Sequence, residues 1–263
     1  MICIIGEKLN SSIPKTFAWM QAGDLEALTA LVRSQKEAGA DFIDLNTALC
    51  GAAGLDLMRQ LIGVCRAEDV GVMLDSPDPA VIADVLPETA GMNVIVNSVT
   101  CDERMPELLP LIAKAGCGVV LLPIYHGKIP ETASERVENA AAAVDKLVSG
   151  GVALHNIYID ALVESIATTP GAGQTTVETI RLLHETLPGC HIVCGLSNIS
   201  FGLPARADLN AAALAMFTAN GLDAAICDPL SPAVATAIRS AAAILGEDDY
   251  CIDFIEYIRE TRD

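Results

Sequence analysis

The stretch AGADFIDLN, residues 38–46, joins the end of a helical pattern to a short apolar run and then to polar residues. Gly39 can adopt the left-handed conformation that ends a helix, and the apolar residues around Ile43 favour a β-strand. The stretch NGLDAAICD, residues 220–228, weakly repeats this order of features near the other end of the chain. Such repetition indicates a fold built from similar helix-to-strand units.

Eight short apolar runs alternate with longer helical patterns along the chain, and their near-continuous hydrophobicity is typical of buried parallel strands. The runs cover residues 2–5, 42–45, 70–74, 93–96, 118–122, 156–159, 191–194 and 224–227. Eight such units in 263 residues predict an α/β protein, a single-domain (β/α)8 TIM barrel over residues 1–263. A doubly wound sheet is the alternative. That fold normally has a glycine-rich turn after its first strand, where this chain has Gly6 alone.

Two pairs of residues have the spacing of a capping box, which marks the start of a helix. They are Thr132 with Glu135 and Thr175 with Glu178. The tail, residues 247–263, has an amphipathic pattern and predicts an added C-terminal helix. We expect this helix to cover the barrel or to meet a second subunit.

The charge balance excludes several classes of partner. Sixteen Lys and Arg against 34 Asp and Glu give a net charge of −18, which would repel nucleic acid and anionic membranes alike. No run approaches the length of apolar residues that a membrane span needs, and the first residues lack a signal-peptide pattern. The nine cysteines are odd in number and form no CxxC, which favours free thiols in a reducing compartment. We therefore expect a cytoplasmic protein without nucleic-acid or membrane partners.

Polar residues follow seven of the predicted strands, and in a (β/α)8 barrel the chemistry lies at these strand ends. They are Glu7 and Asn10; Asp44 and Asn46; Asp75 and Ser76; Asn97 and Ser98; Asp160; Ser197 and Asn198; and Asp228. Any one of them could be a helix cap or a turn residue, since these residue types are favoured there. Their convergence at seven ends is harder to explain by capping and predicts a binding site.

Several chemistries lack the residues that they need. A Schiff-base aldolase needs a lysine inside the barrel, but only Lys8 and Lys128 lie near strand ends, and both follow their strands in loops. The four histidines are scattered, which argues against a metal centre. The segment after the seventh strand, from Gly195 to Arg206, only partly suits a phosphate. Carboxylates and carboxamides instead suit a neutral heterocycle with several N–H donors, such as a pterin.

The chain resembles the pterin-binding methyltransferases, which move a methyl group between tetrahydrofolate and a corrinoid protein. The likeness spans essentially the whole chain, and its most specific element is the GLSN segment. It is carried by IGEKLN (5–10), GADFIDLN (39–46), LDS (74–76), NS (97–98), YID (158–160), GLSNISFGLP (195–204) and GLDAAICD (221–228). The resemblance implies the barrel fold, a pterin site and a homodimer.

The resemblance also implies roles for individual residues. Asp75, Asn97 and Asp160 match the family's binders of the pterin pyrimidine edge, and Asn198 matches the asparagine that reaches N5. Asn198 and Asp75 are therefore the candidate catalytic residues. The remaining candidate binding residues are Gly195, Ser197, Glu7, Asn10, Asp44, Asn46 and Arg206, and no metal ligand is expected.

The implied substrate is tetrahydrofolate or methyltetrahydrofolate, with the corrinoid (cobalamin) supplied by a partner protein. The chain has neither the Asp-x-His-x-x-Gly motif of corrinoid binding nor a cysteine-rich zinc site for homocysteine. Residues do not reveal the direction of transfer, although the short form slightly favours the O-demethylase type, toward tetrahydrofolate. Three alternatives remain open: a dihydropteroate synthase-like enzyme, a non-catalytic pterin-binding protein, and an assembly protein that only presents a dimer surface. Against the first, the late loops lack the Ser-x-Arg pair and lysine that would hold pyrophosphate.

Overall fold

A computed structural model describes residues 2–102 and 105–262 and contains a closed barrel of eight parallel strands. The strands are β1 (Cys3–Gly6), β2 (Phe42–Asn46), β3 (Gly71–Asp75), β4 (Val94–Thr100), β5 (Gly118–Leu122), β6 (Ile157–Asp160), β7 (His191–Gly195) and β8 (Ala224–Cys227). Each strand pairs with the next in the sequence, and β8 pairs with β1. The predicted TIM barrel is confirmed, and the doubly wound alternative is wrong because no sheet edge stays open.

The helices lie outside the barrel. They are α1 (Pro14–Ala22), α2 (Leu25–Glu37), α3 (Gly54–Ala67), α4 (Pro79–Val85), α5 (Met105–Ala115), α6 (Ala133–Ser149), α7 (Ala172–Thr186), α8 (Arg206–Ala219), α9 (Pro232–Leu245) and α10 (Ile252–Arg262). One apolar cluster fills the layer between strands and helices, and a second, which includes Ile5, Met73 and Val193, fills the barrel interior. Burial of both clusters supplies the main driving force for this arrangement.

The geometry of the first strand end depends on a glycine. Gln35 of α2 is fully buried, and its Oε1 accepts a hydrogen bond of 3.0 Å from the backbone N–H of Lys8. A Cβ atom at Gly6 would lie only 2.5 Å from the same Oε1. Gly6 therefore allows α2 to approach β1 and to fix the chain that leads into the first loop.

Seven of the eight strands lie within one residue of their predicted bounds at each end, and larger differences occur at the fourth strand and at the first helix. The fourth strand continues past Val96 to Thr100, with a shift of register between Asn97 and Val99, so that Asn97 lies within the strand. The β-branched residues beyond Ser98 explain the extension. The helix α1 was not predicted. Its amphipathic signal is weak, and it begins with Pro14 at its first position, which favours a helix start.

One predicted capping box is confirmed and the other is wrong. Thr132 Oγ1 accepts from the backbone N–H of Glu135, and the Glu135 side chain accepts from the backbone N–H of Thr132. Thr175 and Glu178 instead lie inside α7, which begins at Ala172. The same three-residue spacing occurs within any helix, so the pattern alone does not locate a helix start.

The tail forms α10, which begins five residues later than predicted because residues 249–251 form a 3₁₀ turn. Asp248 accepts hydrogen bonds from the backbone N–H groups of Asp253 and Phe254 and thereby fixes the helix start. The guanidinium of Arg239 on α9 lies 4.0 Å from the ring centre of Tyr257. The tail therefore covers α9 on the outside of the barrel; residue 263 lies outside the described residues.

One segment of the described residues, Ala48–Ala67, is long and apolar enough by length and composition to cross a membrane, contrary to the expectation from the sequence. It is not a single regular helix, because a 3₁₀ turn that contains Gly51 at φ 58° precedes α3. Leu57, Leu61 and Cys65 on α3 are buried in the layer between helices and strands. The buried apolar side chains of α3 therefore belong to the layer between helices and strands, whereas Leu49, before α3, is 61% exposed.

Candidate functional site

A polar ring lines the carboxyl end of the barrel. Alternate residues of each strand point inward, so the residue two positions beyond an inner apolar residue points inward as well, nearer the end. Applied to the interior cluster, this alternation places the following at the mouth: Glu7, Asn46, Asp75, Asn97, Leu122, Asp160, Gly195 and Asp228. Asn46, Asp75 and Asn97 are register partners on adjacent strands and therefore lie side by side. The structure thus brings together most of the site residues predicted from the sequence.

Asn46 orients Asp75. Its Oδ1 accepts hydrogen bonds of 3.1 Å from Ser11 Oγ and from the backbone N–H of Ala48. These donors direct the Nδ2 group toward Asp75, where it donates to Oδ2 at 2.7 Å. Asn10, which forms a parallel bridge with Asn46, extends this arrangement to the first loop. The Asp75 carboxylate is thus held in one orientation at the mouth.

Asp44 lies one inner position below this ring and is only 3% exposed. Burial is the main cause that raises its pKa well above the usual range, and the charges of Asp75 and Glu7 raise it further. Asn10 and Asn97 favour its ionised form by hydrogen bonding, while its Oδ1 has no hydrogen-bond partner among the described residues. Asp44 is therefore placed beneath the mouth, against residues that line it.

Asp160 lies at the end of β6, on the inner face of the barrel. Burial raises the pKa of its carboxyl to about 6, opposed by a hydrogen bond from Leu162 and by the charge of Arg136. The Leu162 bond runs from the backbone N–H to Oδ1 over 2.7 Å. Asp160 is therefore a carboxylate near neutral pH whose second oxygen, Oδ2, is not used by this bond.

A hydrogen bond between Glu7 and Ser197 joins the loops that follow β1 and β7. Ser197 Oγ donates to Glu7 Oε1 at 2.7 Å, and burial raises the pKa of Glu7 against the effect of this bond. Lys8 Nζ lies 2.8 Å from Asp228 Oδ2. The lysine of the first loop is thus paired with the carboxylate that follows β8.

Asn198 and Gly195 form one side of the mouth. Asn198 is exposed, and a Cβ atom at Gly195 would lie 3.1 Å from its Nδ2. The amide therefore lies close above the end of β7, where a larger residue would displace it. Arg206 braces the same loop, because its guanidinium donates to Ser197 O at 2.8 Å and to Ser200 Oγ at 3.1 Å.

The site is rich in hydrogen-bond acceptors and amides. In the described parts of the chain, no group of three or more His, Cys, Asp or Glu side chains could hold a metal ion. Carboxylates of this kind accept from ring N–H and amino groups, and carboxamides both donate and accept. The arrangement can bind a flat heterocycle by its edge and can place an amide against one further ring atom.

Sequence reasoning missed one residue near the site, Arg136. Its side chain is 1% exposed, and its guanidinium contacts the backbone that follows Asp160. Arginine is rarely buried to this degree, and the sequence gives no sign that this one is. The capping box of Thr132 and Glu135 predicts where the helix begins, but it does not predict that the Arg136 side chain is buried.

The barrel and its mouth define a pterin-binding enzyme: residues 6–228 match the family of pterin binding enzymes, and the chain belongs to that family. It is 31% identical to methylcorrinoid:tetrahydrofolate methyltransferase of Eubacterium limosum over 261 residues. This alignment covers 98% of this chain and 96% of that relative. It is also 32% identical to methionine synthase of Mycobacterium tuberculosis over 240 residues, 86% of this chain but 20% of that relative. The resemblance to the pterin-binding methyltransferases is confirmed, and the protein is an enzyme.

Solved structures of dihydropteroate synthases share the fold. That of Xanthomonas albilineans has a TM-score of 0.74 at 19% identity and covers 93% of this chain and 92% of its own. That of Yersinia pestis has a TM-score of 0.71 at 17% identity, with 93% and 94% covered. At these identities the likeness supports the barrel fold alone.

Proposed function

We propose that this enzyme moves a methyl group between N5 of tetrahydrofolate and the cobalt of a corrinoid that a separate protein carries. The observation that carries this proposal is the 31% identity, over nearly the full length of both chains, to a relative named as a methylcorrinoid:tetrahydrofolate methyltransferase. The polar mouth supports it, because its acceptors suit the edge of a pterin.

Asp75, Asn97 and Asp160 bind the pyrimidine edge of the pterin in this proposal. The ring amide N–H and the exocyclic amine of a pterin stand side by side, and two carboxylates at strand ends can accept from them. Asn46 holds Asp75 in place, and the bond from Leu162 holds Asp160. The ring is thus oriented before reaction, which reduces the entropic cost of reaching the transition state.

Asn198 acts at N5. The corrinoid supplies the cobalt that donates or accepts the methyl group. As the bond between N5 and carbon breaks, negative charge grows on N5, and the Asn198 amide can donate a hydrogen bond to it. N5 gains a proton when it loses the methyl group and releases one when it accepts the methyl group, and this proton exchanges with solvent at the exposed mouth. The Asn198 carboxamide can accept a hydrogen bond from the N5 hydrogen of tetrahydrofolate. Asn198 is exposed at the mouth, so a corrinoid protein can approach N5 in line.

We favour transfer from the methylcorrinoid to tetrahydrofolate, the O-demethylase type, because the relative that is covered over 96% of its length carries a name of that direction. We also propose that the protein is cytoplasmic, in keeping with the nine free cysteines of the structure.

We further propose that the protein forms a homodimer through an apolar groove of about 670 Å³ between α7 and α8. Ile166 and Met216 line this groove and are 41% and 57% exposed. A second copy of the chain is the occupant that we assign to it.

The test supplies two sets of substrates to the purified enzyme. Methylcobalamin or a methylated corrinoid protein with tetrahydrofolate should yield methyltetrahydrofolate, detected by chromatography. Hydroxymethyldihydropterin pyrophosphate with 4-aminobenzoate should yield no dihydropteroate. Dihydropteroate formation without methyl transfer would replace this proposal with the synthase alternative, and pterin binding without either product would support a non-catalytic pterin protein.

A further inference from the structure

Arg136 is a buried cation for which the reaction proposed above assigns no task. It stands in the first turn of α6, directly after the capping box, with 1% of its side chain exposed. The positive end of the helix dipole disfavours a cation in this turn, so helix stability does not explain the residue. Burying a guanidinium is also costly unless its donors are all satisfied.

The two terminal nitrogens of the Arg136 guanidinium donate hydrogen bonds to the loop that follows β6. Its Nη1 donates to the backbone carbonyls of Ala161 at 3.1 Å and Leu162 at 2.8 Å. Its Nη2 lies 2.7 Å from Oε2 of Glu164, a carboxylate of the same loop. The Nε donates to Pro130 O at 3.1 Å, which ties in the loop before α6. One side chain therefore fixes two consecutive peptide groups after Asp160.

These peptide groups set the orientation of the Asp160 carboxylate. Leu162, whose carbonyl Arg136 holds, also donates its N–H to Asp160 Oδ1 at 2.7 Å. Leu162 has a φ of 56°, a conformation that costs energy for a leucine and persists only where contacts enforce it. The direction of the Asp160 carboxylate thus depends on a turn that Arg136 stabilises.

The same loop reaches the other side of the mouth. Ser165 Oγ donates to Phe201 O at 2.7 Å, and Phe201 N donates to Asn198 O at 3.1 Å. The loop that Arg136 fixes is therefore continuous, through two hydrogen bonds, with the loop that carries Asn198.

We propose that Arg136 is a positioning residue of the pterin site, whose fork of hydrogen bonds sets the turn after β6 and so directs the Asp160 carboxylate toward the bound ring. This inference rests on the proposed function, since it takes Asp160 to contact the pterin. A lysine retains the charge but cannot replace the planar fork, because an ammonium lacks its fixed geometry.

The test combines Arg136→Lys and Arg136→Met with Asp160→Ala in a double-mutant cycle. Arg33→Met, which removes an exposed arginine of α2 that pairs with Glu68 at the end of α3, is the control. The dissociation constant of methyltetrahydrofolate is measured by calorimetry, and KM and kcat by steady-state methyl transfer. We expect Arg136→Lys to weaken binding and raise KM at least fivefold, with kcat within twofold, and to have less than a twofold effect when Asp160 is already alanine.

A purely structural role gives a different pattern. Loss of folded enzyme lowers the apparent kcat, leaves KM unchanged and costs the same in both Asp160 backgrounds, and that result would overturn the proposal. Failure of both Arg136 variants to fold would overturn it equally. If Asp160→Ala weakens binding as expected but Arg136→Lys does not, the positioning role alone is wrong. If the unsubstituted enzyme does not bind methyltetrahydrofolate, the proposed function itself fails.

Discussion

Replacement of Asp160 by asparagine removes one half-buried charge from the mouth and leaves the size of the side chain nearly unchanged. The amide oxygen of the new side chain can still accept from Leu162 N–H, so the local turn is retained. The amide NH2 group then faces the N–H donors of the pterin and cannot accept from them, so a charge-assisted hydrogen bond worth about 1.5–3 kcal/mol is lost. Binding of methyltetrahydrofolate should therefore weaken by roughly 10- to 150-fold at pH 7.5.

The pH dependence sharpens this prediction. Because burial raises the pKa of Asp160 to about 6, the carboxylate is mostly ionised above that pH and protonated below it. Affinity of the unsubstituted enzyme should therefore be constant above pH 7 and fall by roughly tenfold for each unit below 6. The asparagine variant should lose this decline, apart from any contribution of Glu7 and Asp44.

Calorimetric titrations from pH 5 to 8 measure both effects, with the exposed Asp145→Asn on α6 as the matched control. Equal affinities of the Asp160→Asn variant and the unsubstituted enzyme at pH 7.5 would refute the assignment of Asp160 to the pterin edge. The same decline below pH 6 in both proteins would show that another group titrates.

Three further predictions concern the rate, the stability and the assembly. Asn198→Ala should lower the rate of methyl transfer at least tenfold while weakening methyltetrahydrofolate binding less, as rapid-mixing and calorimetric measurements can show; equal losses would make Asn198 a ground-state binder. Asp44→Asn should raise the free energy of unfolding by about 0.5–2 kcal/mol at pH 8. Because burial raises the pKa of Asp44 in the folded protein, the unsubstituted enzyme loses stability as pH rises, and an uncharged asparagine avoids this loss. Urea denaturation should show a smaller gain at pH 5, and no gain at pH 8 would contradict this argument. Met216→Glu should convert a dimer to monomers in light scattering, and a monomeric unsubstituted enzyme would exclude the α7–α8 interface.

Much of the fold follows from patterns that each strand carries within itself. Eight buried strands produce eight apolar runs, and Gly39 and Gly221, both with positive φ, mark helix-to-strand joints. The helix α1 was missed because its burial is slight and its sides differ little in polarity, so no period appears. The extension of β4 was missed because polar residues at Asn97 and Ser98 interrupt the apolar run.

The sequence indicated which residues reach the mouth but not how they are arranged there. Asp44 and Asn46 are two residues apart and looked equivalent, yet one is buried beneath the ring and the other orients Asp75. Arg206 is a predicted binding residue, and nothing in the sequence indicated that its guanidinium also donates to Ser197 O and Ser200 Oγ of its own loop. Such contacts join residues far apart in the chain, and no local pattern specifies them.

A single-turnover experiment tests the central claim most directly. Enzyme loaded with one equivalent of methyltetrahydrofolate is mixed rapidly with cob(I)alamin, and the cobalt absorbance is followed together with the pterin products. Direct transfer predicts one methylcobalamin and one tetrahydrofolate per site, much faster than without enzyme, and no methyl group on the protein. Unchanged cob(I)alamin, or a methyl group trapped on one of the nine cysteines, would contradict it.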